Sequence, residues 1–362
     1  MLKYVTLNNV RYAVADFQSL GEGGEGQVFR FDDHWALKLF HHPDPIVSRK
    51  LSECVDRAVY TAVVHVAATP RSLFCDSGSV EGYVMEKFSG YTSVDWLANL
   101  GYCIENKITI RRTVIVLQKL HEALEYLHRE GFIVGDLRGS NVLFRVVNHG
   151  TDVDIRFLDV DSWAVTRDGL RHPCTAIHPK VMHPRLRQEC DTNPEAIKNL
   201  APYHDWYAFA LLCATSLLRC DPFSRGLHKT YDSDKRRLRG ITCWNPAVEP
   251  ARGPEHLIGR GYYNDDEQIH NSKLGDRLID YLCHWLMGGR TDKFDGAELI
   301  TFLAQLHTCA DCRLEVNASF SACPRCHGRL IPYEPKRPPV VKSAAKPTPS
   351  NPSQGSRREP RW

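Results

Sequence analysis

The chain has 362 residues, 43% hydrophobic and 25% charged, close to the globular average, which excludes a collagen, a coiled coil or a wholly disordered polymer and allows two or three domains. The net charge of +3 hides an asymmetry: residues 335–362 hold seven basic residues and one acidic, leaving 39 basic against 42 acidic elsewhere, so the body offers no broad basic face and nucleic acid is not the expected partner. The longest nearly apolar run, Tyr207 to Leu218, has 12 residues, short of the ~18 of a membrane span, and the first residues lack the charged-then-apolar layout of a secretory signal; the sequence reads as cytoplasmic, with no membrane partner.

Residues 1 to about 90 are short alternating apolar runs with Gly-rich turns and one helical stretch near 45–65, which predicts a small sheet with a helix. Within it, LGEGGEGQVF (20–29) spaces Gly21, Gly23 and Gly26 as G-x-G-x-x-G, with Val28 two residues on. Glycines let a hairpin backbone approach phosphates closely, with N–H groups aimed at the oxygens. Dinucleotide sites share the spacing but open into a helix, whereas QVFRF is strand-like; an ordinary hairpin is the alternative. WALKLF (35–40) then sets Lys38 in an alternating apolar strand. An ammonium there is costly without a partner. Phosphate oxygens plus a carboxylate would serve, and Glu53 is the natural carboxylate, with Asp56 close behind; a solvated edge-strand lysine is the alternative.

Residues 92–307 are mainly helical in pattern. ITIRRTVIVLQKLHEALEYLHREG repeats apolar residues at three and four and stops at Gly131. In FIVGDLRGSNVLF (132–144), Asp136 follows an apolar run and Asn141 arrives five positions later. Asp136 can accept a hydroxyl proton, Asn141 offers a neutral oxygen to a hard cation, and Arg138 can reach a phosphoryl group. In IRFLDVDSW (155–163), Asp159 ends an apolar strand and Asp161 follows, a pair that favours a divalent cation. Simple polar turns are the alternative for both segments. DWYAFALLCATSLL is apolar all round, as in a helix at a domain centre, and 224–274 reads as irregular.

Nine of the 13 cysteines are scattered singly and suit a reducing compartment; Cys309, Cys312, Cys323 and Cys326 form two Cys-x2-Cys pairs ten residues apart. Two such knuckles close a tetrahedral site with sulfurs at about 2.3 Å from Zn²⁺. Four sulfurs leave no open position, so the site is structural, with the intervening segment as a short hairpin; iron or a redox dithiol pair are the alternatives, and His327 is a bystander. The Pro-, Ser- and Lys/Arg-rich residues after 335 predict a disordered tail.

The order of these motifs resembles the eukaryotic-type Ser/Thr protein kinases: Gly-rich hairpin, strand lysine, helix glutamate, Asp-x4-Asn, strand-end aspartate. The resemblance implies an α+β, bilobal kinase-like domain over 1–307, with a small β-rich lobe to about 88 and a helical lobe over 89–307, then a four-cysteine zinc ribbon at 308–332 and a tail at 333–362. It implies ATP with Mg²⁺ or Mn²⁺ as cofactors. Gly21, Gly23, Gly26, Val28, Ala36 and Lys38 would surround the nucleotide with Glu53 behind the lysine. Met85 would be the gatekeeper and Glu86 to Phe88 the strand that meets adenine. Asn141 and Asp159 would hold the metal; Asp136, Lys38 and Arg138 would be catalytic; Asp205 would brace the loop around Asp136.

The chain also departs from the family's pattern. Val134 and Gly135 stand where most members have His-Arg, and Arg138 stands for the usual lysine. Asp159-Val160-Asp161 replaces Asp-Phe-Gly, and HPRL (183–186) stands near the place of Ala-Pro-Glu. Asp159-Val160-Asp161-Ser162-Trp163, and more loosely GITCWNPAVEP (240–250), resemble a divergent bacterial group in tellurite-resistance-linked triads. That likeness implies a von Willebrand A-domain protein and a metal-dependent protein phosphatase as partners, besides a protein substrate. A nucleotide-binding pseudokinase scaffold and a small-molecule phosphotransferase are the competing expectations.

Overall fold

Alternating side chains give the strand at Lys38 two buried faces, and the first sheet is built around it. The computed structural model describes residues 4–7, 10–76, 78–147, 152–219, 221–224, 232–242, 276–318 and 320–332. After a hairpin of β1 (Tyr4–Leu7) and β2 (Val10–Ala13) come β3 (Gln18–Glu22), β4 (Gly26–Arg30), β5 (Trp35–Phe40), α1 (Pro45–Asp56), β6 (Ser72–Asp76) and β7 (Ser79–Glu86). The last five strands form one sheet in the order β3-β4-β5-β7-β6, every pair antiparallel. On β5, Leu37 and Leu39 face a small core with Phe29, Phe74 and Val84, while Ala36 and Phe40 face the main core. Lys38 therefore shares the main-core face.

Helix α1 starts where the Asp44 carboxylate caps the Ile46 N–H at 2.6 Å, with Pro45 in its first turn. It ends at Asp56, short of the predicted 65, because Ala58 adopts a left-handed conformation and a 3-10 turn follows. Its buried Leu51 and Cys54 join Val80 and Tyr83 of the sheet.

The remainder holds β8 (Thr92–Ser93), α2 (Leu100–Glu105), α3 (Ile110–Arg129), β9 (Phe132–Ile133), β10 (Val142–Val147), β11 (Asp152–Phe157), β12 (Ala164–Arg167), β13 (Leu170–His172), α4 (Pro184–Thr192), α5 (Pro202–Leu218), α6 (Ser233–Leu238), α7 (Asp276–Leu286) and α8 (Ala297–Ala304). Helix α3 begins where the Thr109 hydroxyl accepts the Arg112 N–H at 3.2 Å, and buries Val114, Leu117, Leu120, His121 and Leu124 along one face. It packs against α5, whose residues from Trp206 to Ala214 are all buried. Residues 92–172 also hold six short strands, of which the sequence reading had only β11, the apolar strand before Asp159. They form two three-stranded sheets, β11-β10-β8 and β13-β12-β9, on either side of the loops carrying Asp136 and Asp159. Phe157 ties these loops to the first sheet's segment, donating to the Val66 carbonyl at 2.8 Å and accepting from Ala68 at 2.9 Å.

The cysteine segment follows α8 without a gap, as β14 (Leu306–Cys309), β15 (Glu315–Asn317) and β16 (Leu330–Pro332), in the order β15-β14-β16. It is a three-stranded antiparallel sheet flanking the knuckles, not the hairpin predicted between them, because β14 starts ahead of the knuckles, runs into the first cysteine and pairs on both edges. Leu306 belongs to the main core. No helix among the described residues is long and apolar enough to cross a membrane. The tail after 332, most of 224–274 and all but three residues of GITCWNPAVEP lie outside the described residues.

Candidate functional site

Lys38 is 4% exposed, and its Nζ donates to both Asp161 oxygens at 2.8 and 3.0 Å and to Asp159 Oδ1 at 3.0 Å. Burial disfavours its charge, but Asp161 and Asp159 outweigh that and hold its pKa above the ordinary lysine value. Asp161 is itself 1% exposed and also accepts the Tyr83 hydroxyl at 2.6 Å. Burial works against its carboxylate too, but Lys38 and Tyr83 keep its pKa below the usual aspartate value. Asp159 is half-buried and sits at a φ of 55°, in the left-handed region. For a non-glycine residue that backbone costs about 1–3 kcal/mol, and it turns the carboxylate out of the strand end toward Lys38.

Glu53 is not the partner of Lys38. Its carboxylate pairs with Arg49 at 2.7 Å and His172 at 3.2 Å. The helical period explains why: the α1 face turned to the core carries Lys50, Leu51 and Cys54, and Glu53, two positions beyond Leu51, points away from it. The inward position thus holds a second lysine. Lys50 is 0% exposed and donates to the Trp163 carbonyl at 2.9 Å; burial pulls its pKa below the ordinary value. The third carboxylate near Lys38 is Glu25, at 3.9 Å, from the Gly-rich turn itself. Burial, and then the charge of Asp161, raise its pKa.

The Gly-rich segment is the β3–β4 hairpin. Its register shifts between Ser19 and Gly21, and the Gly23 N–H donates to the Gly26 carbonyl at 2.9 Å. Gly26 is required because a Cβ there would overlap the Leu39 carbonyl on β5. Val28 pairs with Lys38 across the strands and Ala36 with Met85. Glu86 is exposed at the end of β7, and the Phe88 ring meets Tyr91 at 5.4 Å and Arg156 at 5.5 Å.

The loop between β9 and β10 gathers the next group. Asp136 Oδ2 accepts Arg138 Nε at 2.9 Å and Asn141 Nδ2 at 3.0 Å, and its Oδ1 accepts the His178 backbone N–H at 2.9 Å. Beneath it, the fully buried Asp205 of α5 accepts the Val134 N–H at 2.8 Å, the Gly135 N–H at 2.7 Å and His128 Nε2 at 2.8 Å. This bracing is the role the sequence suggested for Asp205. Gly135 takes a φ of +72° and leaves only 2.6 Å between a notional Cβ and the Cys174 sulfur, so no side chain fits. The Leu158 N–H donates to the Asn141 carbonyl at 2.9 Å, which couples this loop to the one carrying Asp159.

The four clustered cysteines lie within 4.8 Å of one another, with Cys309–Cys326 and Cys312–Cys323 each at 3.5 Å. A tetrahedron of 2.3 Å bonds spaces its sulfurs by about 3.8 Å, so the donor set fits a metal such as zinc. Both knuckles close alike: the residue after the second cysteine, Arg313 or His327, is left-handed, and its N–H returns to the carbonyl of the first cysteine at 3.2 or 2.8 Å. His327 is exposed and belongs to the turn, outside the four donors.

Sequence reasoning missed Asp161 as the main partner of Lys38, and missed Glu25, Tyr83, Lys50 and His178. One signal was available for Asp161: a carboxylate directly after Val160 and two residues before Trp163 needs a buried cation, and an apolar strand with a lysine needs a buried anion. No protein-family model matches the chain, and no curated protein matches it.

Proposed function

We propose that the chain is a divergent Ser/Thr protein kinase of bilobal kinase-like fold, transferring the γ-phosphoryl group of ATP to a protein hydroxyl, with a structural four-cysteine zinc ribbon. One observation carries the reading: Lys38 of β5 holds Asp159, the loop carrying Asp159 is joined through the Leu158–Asn141 hydrogen bond to the loop carrying Asp136, Arg138 and Asn141, and Asp205 braces that second loop from below.

In this reading the β3–β4 hairpin covers the phosphates, Lys38 holds the α- and β-phosphates, and Val28, Ala36 and the Glu86–Phe88 backbone meet the base. Asn141 and Asp159 would be the ligands for Mg²⁺ or Mn²⁺, which would neutralise phosphate charge. Asp136 accepts the proton as the substrate oxygen bonds to the γ-phosphorus and the bond to the β-phosphate oxygen breaks, releasing ADP. Arg138, already on Asp136, adds positive charge beside the transferring group. Positioning and charge neutralisation do most of the work in such chemistry. Asp161 does what a helix glutamate was expected to do: it anchors Lys38. Because that anchor comes from the same loop as Asp159, Lys38 stays placed whatever the orientation of α1.

The nucleotide-binding scaffold is the second reading. It is favoured by the full engagement of the Asp136 carboxylate, which already accepts from Arg138, Asn141 and His178.

The test is label transfer from γ-labelled ATP to a generic protein substrate with Mg²⁺ or Mn²⁺, alongside nucleotide binding. Wild type is expected to transfer label, Asp136→Asn to lose at least ~100-fold while still binding nucleotide, and Lys38→Met to lose transfer as well. Binding without transfer under either metal would replace the kinase reading with the scaffold, and no nucleotide binding would remove both.

A further inference from the structure

The cysteine segment is fastened to the helical body. Glu315 of β15, buried, accepts the Arg111 backbone N–H at 2.9 Å in the first turn of α3 and meets the Arg111 guanidinium at 3.5 Å, while Arg111 also donates to Thr308 at 3.3 Å. The junction encloses a cleft of about 280 Å³ between the α2–α3 connection and the first knuckle. Its apolar walls include Ile104, which is 68% exposed, with Ile108 and Leu314. Lys107, Arg313 and Arg325 stand around it, all exposed. Among the described residues the one carboxylate on the lining is Glu315, which is already engaged with Arg111. Lys107 and Arg313 both occupy left-handed backbone, at φ 54° and 62°, which fixes where their side chains leave the surface.

We propose that this cleft docks a short acidic peptide segment of a partner protein, one that seats an apolar side chain between Ile104 and Leu314 and places carboxylates on Lys107, Arg313 and Arg325. Charge complementarity selects the occupant. Three exposed cations ring an apolar slot, with Arg219 also on the lining but engaged by Leu97 and Thr113, on a body that is otherwise slightly acidic, with 42 acidic residues against 39 basic outside 335–362. A nucleic-acid backbone needs a continuous basic track, which such a body lacks, whereas one acidic segment needs only a local spot. The chain's own continuation beyond Pro332 is a poor occupant, because residues 335–362 carry seven basic residues and one acidic. The inference does not rest on phosphoryl transfer: it holds for a kinase or a scaffold. It depends on the knuckle that carries Arg313.

The experiment pans a random 12-residue peptide library on the zinc-loaded full chain and measures Kd for the enriched peptides, resynthesised, on wild type, Arg313→Glu/Arg325→Glu and Ile104→Asp. Zinc content and circular dichroism establish that each variant is folded, and a mixed-sequence single-stranded DNA 12-mer is the competing probe. Enriched peptides are expected to be acidic with one large apolar residue. They should lose at least ~10-fold affinity on the charge-reversed variant and on Ile104→Asp, and weaken as salt is raised through ~0.15 M. Enrichment without acidic bias, equal binding to the folded variants, no enrichment over a blank surface, or tighter binding of the DNA would each overturn the proposal.

Discussion

The lysine pocket at β5 and the cysteine knuckles each gather four or more polar side chains, but they draw on the chain in opposite ways. Lys38 meets partners 121 and 123 residues away. Cys309 and Cys326, the outermost sulfurs, are 17 residues apart. The pocket exists only when the first sheet and the loop after β11 are already assembled; the knuckles close within one short stretch around a donor set that fits a metal, which can stand in for the core that so few residues cannot bury. One cluster is a product of the fold and the other a local substitute for it.

The comparison breaks most sharply at the metal. Chelation, or Cys312→Ser, should reduce bound zinc from about one equivalent to none and open residues 306–332 to protease. The sheet around Lys38 should keep its unfolding midpoint. Metal analysis with limited proteolysis and urea denaturation reads both, and a joint collapse of the two regions would refute their independence.

The next effect is at Asp161. Asp161→Asn leaves a buried ammonium with weakened pairing and should cost about 3–5 kcal/mol in urea unfolding, whereas Glu53→Gln, on the outer side of α1, should leave the midpoint within error. If Glu53→Gln proves the more damaging, Asp161 is not the anchor. The acid dependence has a definite sign. The Asp161 pKa is depressed, so its stabilisation is present above the ordinary aspartate value of ~3.9 and fades as pH falls through the lower folded value. The Lys38 pKa is raised, so its share is complete below ~10.4 and fades only as pH rises through the higher folded value. Asp161→Asn should therefore flatten the acid limb of stability measured against pH.

The smallest effect sharpens the contrast between the two buried lysines. Lys50 has a carbonyl where Lys38 has carboxylates, and its pKa is held down by burial. Lys50→Met should raise the neutral-pH midpoint by about 1 kcal/mol or a little more, since removing a buried charge outweighs one lost carbonyl partner. The gain should shrink as pH rises toward ~10, where the wild-type lysine approaches neutrality in both states. A midpoint that falls at every pH would show that the ammonium stabilises α1.

These differences also explain what could be read from the chain beforehand. The cysteine cluster was legible because its geometry is encoded in spacing: two residues between thiolates put both on one side of a turn. The alternating strand around Lys38, the long helix ending near Gly131 and the need of Lys38 for an anion were legible for the same reason. The identity of that anion was not. Glu53 is near in sequence, but distance along a helix says nothing of which face turns inward, and Lys50 holds the inward position. In the sequence Asp161 reads only as half of a carboxylate pair that favours a cation, because a contact across 123 residues leaves no periodic trace. Of the short strands β8 to β13 only β11, before Asp159, was legible; segments of two to six residues are mostly too brief for a period to register.

Helix α3 touches both worlds. Its first turn holds Glu315 through Arg111, and its last turn holds Asp205 through His128. Twenty residues at 1.5 Å each make a strut of about 30 Å, so the knuckles and the Asp136 loop stand at a set spacing, as marks on a ruler. A polypeptide gripped at one mark reaches the other only with about ten extended residues between them, and the helix thereby sets a minimum leash for anything that engages both.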